Sequence, residues 1–384
     1  MTPPAPAAPG ASRPRILWGL GAVLAVLAIA QLWSLWRFQP PGIDFLPLWT
    51  AGRFAWTMPD RIYDFAAVTH AQAWLLGELP WQRPYAYPPT ALLLLVPLGA
   101  APFWVALAIW LGLGFGLWVW AGLRLAPQRT RLAALLIIAS PAAGLAAYAG
   151  QSVLLVAGLA TLAVTQLSAR PRLAGVLLAA AAMVKPQALV LAPFALLAAG
   201  AFEALASAAV TAGLLLLASV GLFGVARWTE WLGALQPFQR VVEGVPALMT
   251  GVITPYGLAR QLGLEGAAAI AWRVVFALFA AALVWRAFAR STDPALRLAA
   301  LLGGGLLVVP YAMHYDGALL VPAAVALASQ RLGEPRWLLR LLALLAACEV
   351  TAPHIGAVAV VAFLLLANAD LIVRPAPAAQ TVAS

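Results

Sequence analysis

The sequence predicts an all-α polytopic membrane protein of about twelve transmembrane helices, and three observations carry that expectation. Apolar residues make up 64% of the chain and charged residues only 9%, whereas a soluble domain needs about a quarter of its residues charged to clothe its core. Apolar stretches long enough to suit a bilayer core of about 30 Å recur along the whole length. The formal charge of +10 comes almost entirely from arginine, with Lys185 the single lysine, and those arginines gather between alternate apolar stretches. Such a distribution concerns orientation in a membrane rather than nucleic acid. Cys348 is the only cysteine, so no disulfide framework exists.

Taken in order, residues 1–14 and 375–384 are Ala/Pro-rich tails, expected to be disordered on the cytoplasmic side. Ile16 to Trp36 is the first span. Ala28-Ile29-Ala30 within it could pass for a leader cleavage site, but the apolar run continues through Leu32, Trp33, Leu35 and Trp36, which suits an uncleaved anchor. Residues 37–102 then form a large outer loop. In it Phe65, Val68, Gln72, Leu75 and Leu76 recur at near-helical spacing behind Asp64 as a cap, predicting a helix on the membrane surface with Trp and Tyr anchors. Pro88 to Gly99 is apolar but short and is expected to be re-entrant.

Further spans are predicted at about 103–123, 132–148, 152–168, 173–185, 188–202, 204–224, 264–288, 296–312, 316–330, 337–352 and 355–373. With that count Arg124, Arg129, Arg131, Arg170, Arg172, Arg286, Arg290, Arg297, Arg331, Arg336, Arg340 and Arg374 fall on one side with Arg13 and Arg15. The positive-inside rule then places both termini in the cytoplasm. The second large outer loop, 225–263, carries Trp228, Trp231, Leu232 and Leu235 at i, i+3, i+4 and i+7, a second interfacial helix. Residues 15–374 read as one domain without a repeat of fixed period.

The unusual polar residues collect on the outer face. Asp44, in Gly42-Ile43-Asp44-Phe45, sits among apolar and aromatic residues where partial desolvation makes a carboxylate a better proton acceptor. A helix cap or a partner for Arg53 is the plainer role for it. Lys185, in Met183-Val184-Lys185-Pro186-Gln187, is an ionisable group at membrane depth beside a helix-breaking proline; a phosphate is its natural partner, and a snorkelling lysine the alternative. His314, Tyr315 and Asp316 interrupt the apolar sequence. One His and one Asp fall short of a metal ligand set, so hydrogen bonding or phosphate contact is expected there instead. Tyr87 and Gln151 lie in outer turns as candidate hydrogen-bond donors to substrate, with Gln187 and Asp316 beside the two charged positions. No glycine-rich phosphate loop or serine elbow is present, and no cofactor is expected.

Asp44 followed by Trp49-x-Ala51, Ile62-Tyr63-Asp64, the Tyr85-Ala86-Tyr87-Pro88-Pro89 block, Pro97-Leu98, Gly150-Gln151, Lys185-Pro186-Gln187 and a late His314 stand in an order that resembles glycosyltransferase family 87, over roughly residues 40–320. The resemblance implies a C-type multi-span fold and a polyprenyl-phosphate sugar as donor, as in the family's mannosyltransferases. It implies that Asp44 is the catalytic base and that His314 supports the site. A mannose-like sugar or a pentose would then pass to a lipid or glycan acceptor on the periplasmic face of the inner membrane. Because the leaving phosphate is already acidic, one carboxylate to deprotonate the acceptor is enough, and Lys185, Arg53 and His314 are the cations to steady the departing charge. A single displacement predicts inversion at the anomeric carbon. The rival class is a transporter or flippase of lipid-linked glycans, which calls for polar residues along a path through the membrane; here they crowd one face, Arg273 excepted.

Overall fold

The computed structural model describes residues 13–77, 81–127, 130–330, 342–346 and 355–373. Glu78, Arg129, Cys348, His354 and most of the two tails fall outside them, as does the expected segment 337–352 apart from 342–346, which is helical. The regular structure of the described residues is all helical, without a strand; an isolated bridge pairs Val252 with Met313.

The chain opens with α1 (Arg13–Trp36), whose apolar side chains face outward, as a helix in lipid requires. The first outer loop folds as α2 (Leu46–Thr57), a 3-10 turn at Pro59–Arg61, α3 (Phe65–His70) and α4 (Ala73–Leu76). Asp64 caps α3 as expected, its Oδ1 accepting the Ala67 amide at 3.0 Å. The predicted surface helix is nevertheless two short pieces, because the buried Gln72 leaves the helix to donate to the carbonyls of Val68 (3.0 Å) and Arg83 (2.8 Å). Next, α5 (Pro89–Ala100) is the short apolar segment, buried along Ala91, Leu92, Leu95 and Leu98 against α2. The two helices touch at Gly52 and Gly99, where an added Cβ would come within 2.2 Å of the Leu95 carbonyl oxygen and 2.3 Å of the Arg53 amide nitrogen.

The body of the protein follows: α6 (Phe103–Leu125), the pair α7 (Thr130–Ile138) and α8 (Pro141–Ala149) bent by 56°, α9 (Val153–Gln166) and α10 (Pro171–Val184). A 3-10 turn at Pro186–Leu189 leads to α11 (Ala192–Ala198) and then α12 (Phe202–Phe223). The second outer loop holds α13 (Val225–Gly244), α14 (Pro246–Met249) and α15 (Pro255–Gln261). It is followed by α16 (Gly266–Arg290), α17 (Pro294–Val308), a 3-10 turn at His314–Leu319, α18 (Val321–Gln330) and α19 (Gly356–Val373). Almost every residue of α17 and α18 is buried, so they form the centre, with α9, α16 and α19 packed round α17. At the periphery α12 buries only Ala204 and Ser219. In α13, Leu232 and Leu235 are exposed, consistent with a helix resting at an apolar boundary.

Among the described residues four helices are long and apolar enough to cross a bilayer singly, α1, α6, α12 and α16, and the bent pair α7–α8 makes a fifth if it is one span. Several expected spans are shorter than the sequence suggested. Proline at the first helical turn starts α10, α11 and α17, and Lys185-Pro186 ends α10 after 14 residues. A 14-residue helix is about 21 Å long, less than a hydrocarbon core. The protein is thus an all-helical membrane protein in which long peripheral helices enclose short, proline-broken central ones.

Candidate functional site

The site lies where several of these short helices start or stop. Asp44 is carried on the turn between α1 and α2, and its backbone is tied to the end of α8: Gly42 N donates to Tyr148 O at 2.7 Å and Asp44 N to Ala149 O at 2.8 Å. Gly150 makes the approach possible. It takes a left-handed conformation (φ +77°), and a Cβ there would press within 2.6 Å of the Phe45 Cβ. The next residue, Gln151, is thereby aimed at Asp44, donating from Nε2 to Oδ2 at 2.8 Å. Oδ1 accepts a hydrogen bond from the Arg83 guanidinium. Asp44 does not cap α2; the cap position is Phe45, without a side-chain bond. Its arginine partner is Arg83 and not Arg53, which corrects the plainer expectation for this residue.

A second charged pair faces the first. Lys185, at the end of α10, and Asp316, in the 3-10 turn at His314–Leu319, are ion-paired, with side chains 9% and 1% exposed. Asp316 is also held by the Met313 amide at 2.8 Å on Oδ2, and the Lys185 Nζ lies 5.9 Å from the Tyr315 ring centroid. The lysine of the sequence motif is therefore a neutralised cation, not a free one. The snorkelling alternative does not describe it, because its head is buried.

Tyr87 joins the two pairs. Its hydroxyl is 3.0 Å from the Ser152 Oγ, next to Gln151, and its ring lies in the fields of Lys185, Asp316 and Asp44. Burial pushes that hydroxyl up, so it remains protonated at neutral pH. The backbone round it is pinned by Tyr63 Oη to Tyr87 O (2.9 Å) and Trp231 Nε1 to Ala86 O (3.2 Å). Thr90 fixes the start of α5 to the end of α10 through Met183 O at 2.9 Å. His314 sits beside Asp316 with its amide on Gly251 O at 2.9 Å and a buried Nδ1 that has no partner. Burial lowers its proton affinity, so at neutral pH it offers a hydrogen bond and not the positive charge expected of it.

The structure therefore brings together Asp44 with Gln151, and Lys185 with Asp316, with Tyr87 and His314 close by. It leaves two expected residues apart. Arg53 is exposed on α2 with its guanidinium 5.5 Å from the centre of the Trp49 ring, and Gln187 is exposed on the turn after Lys185. Arg83, Ser152 and Tyr311 belong to the cluster although no sequence motif contained them, and Tyr63, which the Ile62-Tyr63-Asp64 motif did contain, joins it through Tyr87. Proximity in the chain to Tyr85-Ala86-Tyr87 and Gly150-Gln151 is the signal that Arg83 and Ser152 carry. Among the described residues no three His, Cys, Asp or Glu side chains gather round one point. Beside the site, a cleft of about 430 Å³ opens between the first outer loop and α13, lined among others by Asp60, Tyr63, Asp64 and Glu230.

The sequence model of glycosyltransferase family 87 matches residues 85–310, more than half of the chain. The chain belongs to glycosyltransferase family 87. Its activity class is sugar transfer, which implies a sugar donor and an acceptor and favours an enzyme over the transporter considered above. The matched stretch contains Tyr87, Gln151, Lys185 and Gln187 of this family member; Asp44 precedes it and His314 and Asp316 follow it. No curated protein and no solved structure matches the chain.

Proposed function

We propose that this glycosyltransferase takes a mannose-like sugar or a pentose from a polyprenyl-phosphate donor. It passes the sugar to a lipid or glycan acceptor at the extracytoplasmic face of the cell's inner membrane, inverting the anomeric centre, with Asp44 as general base. The observation that carries the proposal is a carboxylate set among buried tyrosines, facing a buried lysine pair, inside a protein whose outer surface is lipid-like. A polyprenyl chain needs such a surface, and a sugar phosphate needs the polar end. The phosphate leaves as a weak base, so no acid has to protonate it. Tyr87 and His314 supply hydrogen bonds where negative charge develops, and Lys185 supplies positive potential that Asp316 partly offsets. The cleft against α13 gives a hydroxyl-rich acceptor a polar approach. Purified protein incubated with polyprenyl-phosphate-linked mannose, arabinose and glucose consumes one of them and yields a product of inverted configuration by NMR. Consumption of nucleotide sugars alone, or retention of configuration, overturns the proposal.

Twelve crossings with both termini inside belong to the same proposal. The ends of α9, α10 and α17 that carry Arg170, Arg172 and Arg297 lie opposite the ends that carry Gln151, Lys185 and His314, as the positive-inside rule asks of a site facing outward. Reporter fusions after Arg131 and Arg340 report cytoplasm and one near Gln239 reports the outer side; the opposite labels reject both the topology and the site's placement.

A further inference from the structure

Arg83 has no role in the scheme above, yet its guanidinium is the group in closest contact with Asp44. It donates to the Asp44 carboxylate and, at 3.1 Å, to the carbonyl of the preceding residue, Ile43. One terminal nitrogen, Nη2, therefore fixes both the side chain and the backbone of the same turn. The arginine is itself held from behind. Its amide donates to Thr69 Oγ1 at 2.9 Å, its carbonyl accepts from Gln72 Nε2 at 2.8 Å, and its side chain is 15% exposed with Nε buried and unpartnered. An isolated ion pair at a surface would not need this support.

We infer that Arg83 is the positioning residue of the base: it holds the Asp44 carboxylate and the Ile43 carbonyl in one orientation and leaves the remaining lone pairs of Asp44 toward the acceptor. The inference rests on the proposal that Asp44 is the base. The other groups in whose fields Asp44 stands are Lys185, Tyr87, Tyr311, Tyr315 and His314. The tyrosines are neutral, His314 is neutral, and Lys185 is spent on Asp316, so Arg83 is the cation that matches Asp44. Gln151 completes the hold from the other oxygen as a neutral donor, which orients the carboxylate without changing the charge balance.

The test separates orientation of the carboxylate from folding. With polyprenyl-phosphate-mannose as donor, Arg83→Gln lowers kcat at least about tenfold while KM for the donor and the melting temperature stay near wild type, because the carboxylate is present but no longer held. Arg83→Lys recovers part of the rate, since an ammonium still reaches one carboxylate oxygen. In an Asp44→Asn background Arg83→Gln costs nothing further, as expected of a residue that acts through Asp44. Wild-type kcat in Arg83→Gln overturns the inference, as does an equal loss from Arg83→Gln with and without the Asp44 carboxylate. An Asp44→Asn protein that transfers sugar at the wild-type rate removes Asp44 as base instead.

Discussion

Asp44→Asn lowers transfer at least about a hundredfold, the usual worth of a general base, and leaves the protein folded. The fold survives because the new amide fits the same hydrogen bonds. Its oxygen accepts from Arg83, and Gln151, by turning over its own amide, presents an oxygen to the new NH2 group. What disappears is the lone-pair oxygen that can take a proton. Turnover of polyprenyl-phosphate-mannose and a melting curve on the same preparation check both halves. Wild-type turnover would leave Asp44 as an ion-pair partner that fastens the first outer loop to the Gly150 turn.

Lys185→Met gives the largest stability loss, about 3–5 kcal/mol, because it strands the Asp316 carboxylate with almost no access to solvent. The double variant Lys185→Met with Asp316→Asn recovers most of that loss, since neither charge remains to be desolvated and the Met313 amide still finds an acceptor. In that refolded background the phosphate contact can be measured alone. Titration with a polyprenyl-phosphate sugar then shows affinity reduced by about 1.5 to 3 kcal/mol, the worth of a charge-assisted hydrogen bond. Lys185→Arg keeps part of it, because the charge survives while the planar fork sits differently. Equal donor affinity in the double variant and wild type would assign the pair wholly to holding the end of α10 against the turn at His314–Leu319.

The sequence by itself determined the class of the protein and the neighbourhood of its site. Composition excluded a soluble core, because a chain 9% charged cannot cover one. Asp64 declared the start of α3, and Pro186 marked the break after Lys185. Motif order was enough to place the chain in its family. Hydropathy could not give helix lengths. It averages over a window and does not register the broken turns that leave α9 and α10 at 14 residues each.

Only the tertiary structure decided which charges meet. Lys185 and Asp316 stand 131 positions apart and Asp44 and Gln151 stand 107 apart, separations across which no local spacing rule acts. Arg53 was the nearer arginine to Asp44 in the sequence, but the helical geometry of α2 carries it outward over Trp49, while the loop held by Gln72 and Thr69 brings Arg83 back. His314 looked like a cation because titration depends on burial, which a sequence does not display. Local chemistry is written residue by residue, whereas the partner of a buried charge is chosen by packing, since only packing sets which groups leave the solvent together.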